Sequence, residues 1–260
     1  MVQVEFAEYV KNVLIHDKSV IGLAVAGSWL TNEIDKYSDL DLILVTKEKI
    51  GGDKNKMLAF AEKFGQLLSG FTGEHVGEPR VLICLYDNPL LHVDIKFVTL
   101  EEFHFRIETP VILLDTDGKL QEALNSSTAK FPYPDYQWIE DRFWIWIHYV
   151  LLKIGRGELF EAYDFLAFLR MIVFGPLFHI KNKNLPRGVR RVEMQIDKAD
   201  FAELKSTLPI YDKQSILESL QNAVFIYQKL RLNLFDNNIV LQNATEQRVL
   251  LYFEEIKQQI

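Results

Sequence analysis

The chain has 260 residues, 48% of them hydrophobic and 25% charged, and a formal net charge of −7. That composition suits a soluble globular protein of one large or two modest domains, and its acidic balance argues against a broad, sequence-independent grip on DNA or RNA. A single cysteine, Cys84, excludes an intrachain disulfide, and six scattered histidines leave no cluster with zinc-ligand spacing.

In chain order, residues 4–15 place Val4, Tyr9 (or Ala7), Val10, Val13 and Leu14 at helical spacing. Residues 20–26 form a short apolar run that reads as a strand. Gly27-Ser28 breaks it, and a short helix starting at Trp29 with Ser28 as N-cap is expected. A second strand is expected over 39–45 and a helix over 53–68, closed by Ser69-Gly70. Residues 80–86 and 91–98 read as a hairpin about Asp87-Asn88-Pro89, and 111–115 as a further strand ended by Asp117-Gly118. Cys84, within VLICLY, is expected to pack as a small core residue.

The pattern changes after SSTAKFPYPDY at 126–136, whose paired prolines and small polar residues suit a linker. Helical patterns follow at 137–154, 158–180, 198–206, 213–235 and 244–258, with 143–152 apolar almost all round, as befits a central bundle helix. The expected fold class is therefore α+β: a small mixed sheet flanked by helices over 1–130, then a helical bundle over 131–260. The N-terminal segment lacks a continuous hydrophobic core of the signal-peptide kind. The apolar runs 143–152 and 171–180 are short for a bilayer, and Arg170 bounds the second. The expectation is a cytoplasmic protein with no membrane partner.

The chemistry concentrates in Ala24 to Val45, AVAGSWLTNEIDKYSDLDLILV. A strand places residues i and i+2 on one face, so Asp39 and Asp41 point together while Leu40, Leu42 and Leu44 point into a core. Two like charges held this close repel, and a divalent cation offsets that repulsion. The same pair also fits two carboxylates hydrogen-bonded to backbone at a strand end. Gly27 has no Cβ to keep a phosphate from the backbone, and Ser28 offers a hydroxyl and an amide; a plain turn and a plain cap are the alternatives. In LHVDIKF, residues 91–97, Val93, Ile95 and Phe97 share one face and His92, Asp94 and Lys96 the other, which puts a third carboxylate on a half-open strand.

These residues resemble the polymerase-beta-like nucleotidyltransferase superfamily. Its signature is an apolar strand, Gly-Ser, about ten residues, an acidic-x-acidic strand and a third acidic residue on a later strand. Gly27-Ser28, the ten residues 29–38, Asp39-Leu40-Asp41 and Asp94 supply each element. The remainder is similar in layout to the lincosamide and aminoglycoside nucleotidyltransferases, with VILLDTDGKL at 111–120 and the helix pattern 149–170 carrying that likeness.

The resemblance implies transfer of a nucleoside monophosphate from an NTP, with ATP the expected donor, to a hydroxyl of a small molecule, with release of pyrophosphate. It also implies two Mg²⁺ or Mn²⁺ ions held by Asp39, Asp41 and Asp94, and phosphates received at Gly27 and Ser28. A glutamate from the helical domain serves as general base in several relatives; Glu158 leads here, with Glu108 and Glu140 as alternatives. Lys153 and Arg156 are expected to contact the triphosphate, or else to snorkel from an apolar helix. His75, the basic run at 181–191 and the aromatics Trp144, Trp146, Tyr149 and Tyr163 could line a site or serve as loop and core. A protein- or RNA-directed transferase and a catalytically idle nucleotide-binding module are the competing readings. Monomer and homodimer both remain open.

Overall fold

The computed structural model describes residues 1–31 and 33–259. The chain divides into two compact units, Met1–Phe131 and Pro132–Ile260, and the boundary lies inside the proline-containing stretch 126–136.

The first unit is built on six strands: β1 Val20–Val25, β2 Leu40–Thr46, β3 Gln66–Gly73, β4 Glu78–Asp87, β5 Leu91–Thr99 and β6 Val111–Asp115. Their order across the sheet is β3-β4-β5-β2-β1-β6. Only the β2–β5 pair is parallel; the remaining neighbours run antiparallel. Helices α1 Val2–Leu14, α2 Lys54–Ala61, α3 Leu100–Phe103 and α4 Lys119–Ser126 complete the unit.

Alternation in the strands divides the packing between two faces. Leu40, Leu42 and Leu44 of β2 join Val93, Ile95 and Phe97 of β5 in a core with Ala7, Val10 and Leu14 of α1 and Met57 and Ala61 of α2. Ala24, Val45 and Val98 face the other way, against Phe103 of α3 and Leu120 and Ala123 of α4. Each small helix contributes only a few apolar side chains, so its stability comes from the sheet it covers rather than from its own propensity.

Two expectations for this unit are corrected. The helix expected over 53–68 ends at Ala61, with a 3-10 turn Glu62–Phe64 and then Gly65 at φ 143°. That conformation is open to glycine and hostile to side chains, so the chain leaves the helix there and continues as β3 on β4. Ser28 does not precede a helix as its cap but lies inside a 3-10 turn, Gly27–Thr31.

The second unit is helical: α5 Tyr136–Arg156, α6 Leu159–Leu169, α7 Gly175–Lys181, α8 Val192–Gln195, α9 Lys198–Lys205, α10 Lys213–Leu234 and α11 Asn243–Lys257. Asp135 caps α5 by accepting from the Trp138 amide, and Gly157, left-handed at φ 78°, closes it. α5 packs on α6, α10 and α11 as the central helix, burying Phe143, Trp144, Ile147, Val150, Leu151 and Ile154. It is not buried all round, because Ile145 is 60% exposed.

The pattern expected as one helix over 158–180 divides at a π-helical turn, Arg170–Phe174, between α6 and α7. Helical structure is nonetheless continuous over Leu159–Lys181, 23 residues, within which an 18-residue window has a mean hydropathy of 1.4, long and apolar enough to cross a membrane by length and composition. That length comes from joining the apolar run 171–180 to α6, and the run by itself remains short for a bilayer. Half of that window is buried inside the unit, where α6 and α7 pack on α10.

Candidate active site

The parallel pairing of β2 with β5 sets Asp41 directly beside Asp94. Paired residues on adjoining strands share a face, so both carboxylates leave the sheet on the side opposite Leu40, Leu42, Val93 and Ile95. Those four apolar neighbours are at most 2% exposed, and their burial holds the register; a slip of one residue would drive the aspartates into the core. Asp39 lies one residue ahead of β2 and two from Asp41. One ligand atom from each of Asp39, Asp41 and Asp94 lies within 4.8 Å of the other two, and all three residues are half-buried.

Gly27 sits against this cluster. Its φ is +63°, and a Cβ built there would lie 1.9 Å from Asp41 Oδ2. The glycine is thus required twice, once for its left-handed backbone and once because the Asp41 carboxylate occupies the place of a side chain. The neighbouring Ala26 amide donates to the Asp41 carbonyl at 3.0 Å, which ties the turn to β2. On its other side the Gly27 amide donates to Glu108 Oε1 at 2.8 Å. Ser28 is half-buried in the same turn, where its carbonyl accepts from the Glu33 amide at 3.2 Å.

His92 precedes Asp94 on the same strand face, and its Nε2 lies 2.9 Å from Asp94 Oδ1. Cys84 is set aside from this chemistry: burial pushes its thiol up to about 12, so it packs as a core residue.

The remaining candidates lie on other elements of the chain. Glu158, Lys153 and Arg156 are brought together with one another in the second unit. Lys153 Nζ is 2.6 Å from Glu158 Oε2 and 2.9 Å from Glu161 Oε2, and Arg156 Nη1 is 3.8 Å from Glu158 Oε1. Glu158, then Glu161, raises the Lys153 ammonium above its ordinary value. Glu140 is fully buried, bonded by Tyr227, by Arg231 Nη1 at 3.1 Å and by the Gln242 amide at 2.9 Å. It therefore joins α5 to α10 and to the start of α11, a structural task rather than that of a free base. Trp144 belongs to the helical core, and Trp146, Tyr149 and Tyr163 pack against it. His75 lies on a 3-10 turn, its ring 5.7 Å from that of Phe71. Lys181, at the head of the basic run, is bonded to the buried Asp200.

Glu108 gains its place from the sheet edge. Val25 of β1 pairs with Val111 of β6, so the residues just before β6 run antiparallel past Gly27. The sequence offered Glu108 only as one of three candidate bases. Its contact with Gly27 depends on the β1–β6 pairing, which no local signal announces.

No family model matches the chain, and no curated protein matches it. Among solved structures it is similar to an aminoglycoside 6-adenyltransferase from Bacillus subtilis, at 17% sequence identity and a TM-score of 0.41, covering 96% of this chain and 97% of that one. It is also similar to a nucleotidyltransferase-like protein from Exiguobacterium sibiricum 255-15, at 11% identity and a TM-score of 0.37, covering 89% of this chain and 76% of that one.

Proposed function

We propose that this chain is a metal-dependent nucleotidyltransferase that moves AMP from ATP to a hydroxyl of a small molecule, of the aminoglycoside or lincosamide kind, and releases pyrophosphate. The observation that carries the reading is the convergence of Asp39, Asp41 and Asp94 within 4.8 Å beside the Gly27 turn. The donor set is all carboxylate oxygen, which fits the hard cations Mg²⁺ and Mn²⁺ and not the nitrogen and sulfur sites of zinc. When bound by these three residues, the metal would supply charge neutralisation at the phosphates and a lowered pKa for the attacking hydroxyl.

The chain's own residues supply position. Strand pairing holds Asp41 and Asp94 side by side without any rearrangement, so the carboxylates need not be gathered when substrate arrives. The bare Cα of Gly27 makes room for the Asp41 carboxylate, and the Gly27 amide and the Ser28 hydroxyl are the donors proposed for a phosphate at this turn. In the transfer, a bond forms from the acceptor oxygen to the α-phosphorus as the bond to the pyrophosphate oxygen breaks. The hydroxyl proton passes to a base. Glu158 is our candidate for that base and Lys153 and Arg156 for triphosphate contacts. Those roles require the Lys153–Glu158 pair to open.

Thermal unfolding with ATP and Mg²⁺ or Mn²⁺ tests the reading, because a ligand that binds only the native state raises Tm. We expect a rise in the wild type and none in the Asp39→Ala/Asp41→Ala variant. An equal rise in both would refute the metal assignment. Pyrophosphate release in a screen of hydroxyl compounds then identifies the acceptor class. Nucleotide binding without release from any acceptor would favour an idle nucleotide-binding module.

A further inference from the structure

We infer that Glu108 is an internal stand-in for a phosphate: its carboxylate holds the Gly27 amide until a triphosphate displaces it. The inference rests on the proposed nucleotide site and adds to it a means of selecting among anions.

The contact is an N–H donor on a carboxylate oxygen at 2.8 Å, the length of a charge-assisted bond. A phosphate oxygen would bond the same amide in the same way, and one N–H makes one strong bond at a time. Glu108 and an incoming phosphate also carry like charge, so the two anions compete rather than share. Asp41 Oδ2 takes the place that a Cβ on the same glycine would need. Two carboxylates thus meet at Gly27, Asp41 carried on a paired strand and Glu108 on the segment ahead of β6.

The segment that carries Glu108 is anchored through Arg106, which donates to the Ser127 hydroxyl and to the Ser127 carbonyl at 2.6 Å each. It lies between the end of α3 at Phe103 and the start of β6 at Val111, and Phe105 and Ile107 within it are 79% and 55% exposed. Displacement therefore calls for rotation of the half-buried Glu108 side chain about its own torsions, and not for movement of the segment. A weakly bound anion such as inorganic phosphate gains too little to evict the carboxylate. A triphosphate carrying its own divalent cation gains more, so the device favours the nucleotide over small phosphates.

The test is titration calorimetry of the full chain with Mg²⁺·ATP and, separately, with inorganic triphosphate. Wild type is compared with Glu108→Gln, whose amide oxygen still accepts from Gly27 but carries no charge. Removing the charge from one such bond should tighten ATP binding about fivefold and triphosphate binding by a similar factor. The Tm of Glu108→Gln without ligand should match wild type, which separates displacement from loss of a brace. Equal or weaker binding of both ligands by Glu108→Gln overturns the inference, and so does failure of either protein to bind triphosphate. If Mg²⁺·ATP binding is sensitive to Asp39→Ala but not to Glu108→Gln, the nucleotide site stands and the stand-in falls. If triphosphate binds more tightly to Glu108→Gln while ATP binding ignores Asp39→Ala, the stand-in survives and the metal-site reading falls.

Discussion

Asp41 Oδ2 lies 1.9 Å from the point where a Cβ on residue 27 would stand, so the Asp41 carboxylate and a side chain at that position exclude one another. Gly27→Ala should therefore act in two ways. The left-handed backbone costs about 1–2 kcal/mol for a non-glycine residue, and the methyl must also drive Asp41 from its place. Gly77→Ala is the control: φ is +78° there, and nothing lies within 4 Å of the added carbon. Both variants should lose stability, but only Gly27→Ala should lose Mn²⁺ binding measured by calorimetry. Retention of Mn²⁺ affinity in Gly27→Ala would separate Asp41 from the metal.

The parallel register of Asp41 with Asp94 makes a second, independent expectation. Asp94→Asn keeps the shape of the side chain and its place on β5 while removing the anionic oxygen. Mn²⁺ affinity should fall at least about tenfold, the scale on which even outer partners of a metal site matter. The fold should persist, because Val93 and Ile95 still bury the other face of the strand. Paramagnetic resonance of free Mn²⁺ checks this directly, and unchanged affinity would remove Asp94 from the site.

Much of this arrangement is legible before the fold is known, because alternation alone puts Asp39, Asp41 and Asp94 on polar strand faces. Val111–Asp115 is likewise bounded by its own turn residues and appears as β6 over that span. What sequence does not convey is set by partners remote in the chain. Leu67, Leu68 and Phe71 continue a helical spacing from α2, yet β4 supplies the backbone hydrogen bonds that make this segment β3. Gly175, which follows the π turn, is likewise required by a neighbour remote in the chain: a Cβ there would meet the Gly188 carbonyl oxygen at 2.3 Å. Glu108 becomes interesting only once β6 lies beside β1.

Glu140 serves structure, and its removal or isolation should show in stability. It is fully buried, and Arg231, 11% exposed, carries the opposing charge while also bonding Glu246 Oε2 at 2.8 Å. Arg231→Met would leave the Glu140 charge buried without that partner, a loss of about 3–5 kcal/mol. Denaturant unfolding followed by tryptophan fluorescence should report it, since Trp144 shares this core. A change below about 1 kcal/mol would mean that Tyr227 and the Gln242 amide suffice for the carboxylate.

Acid should weaken the ion-pair cluster around Glu78 on β4. Glu78 is gripped by Arg80, whose Nε and Nη2 each lie 2.7 Å from a carboxylate oxygen, and by Lys96 Nζ at 2.8 Å. Arg80, with Lys96 adding to it, holds the Glu78 carboxyl at about 2, below its ordinary 4.5. A carboxyl whose pKa is depressed by folding stabilises the native state above the unfolded pKa, and that contribution disappears as pH falls through the folded one. The Glu78 contribution is therefore complete above about pH 4.5 and gone below about pH 2. Glu78→Gln should be less stable than wild type at neutral pH, and the gap between the two should close across that window. Parallel denaturation curves taken from pH 5 downward test it, and a gap that stays constant would show that Glu78 contributes through packing rather than charge.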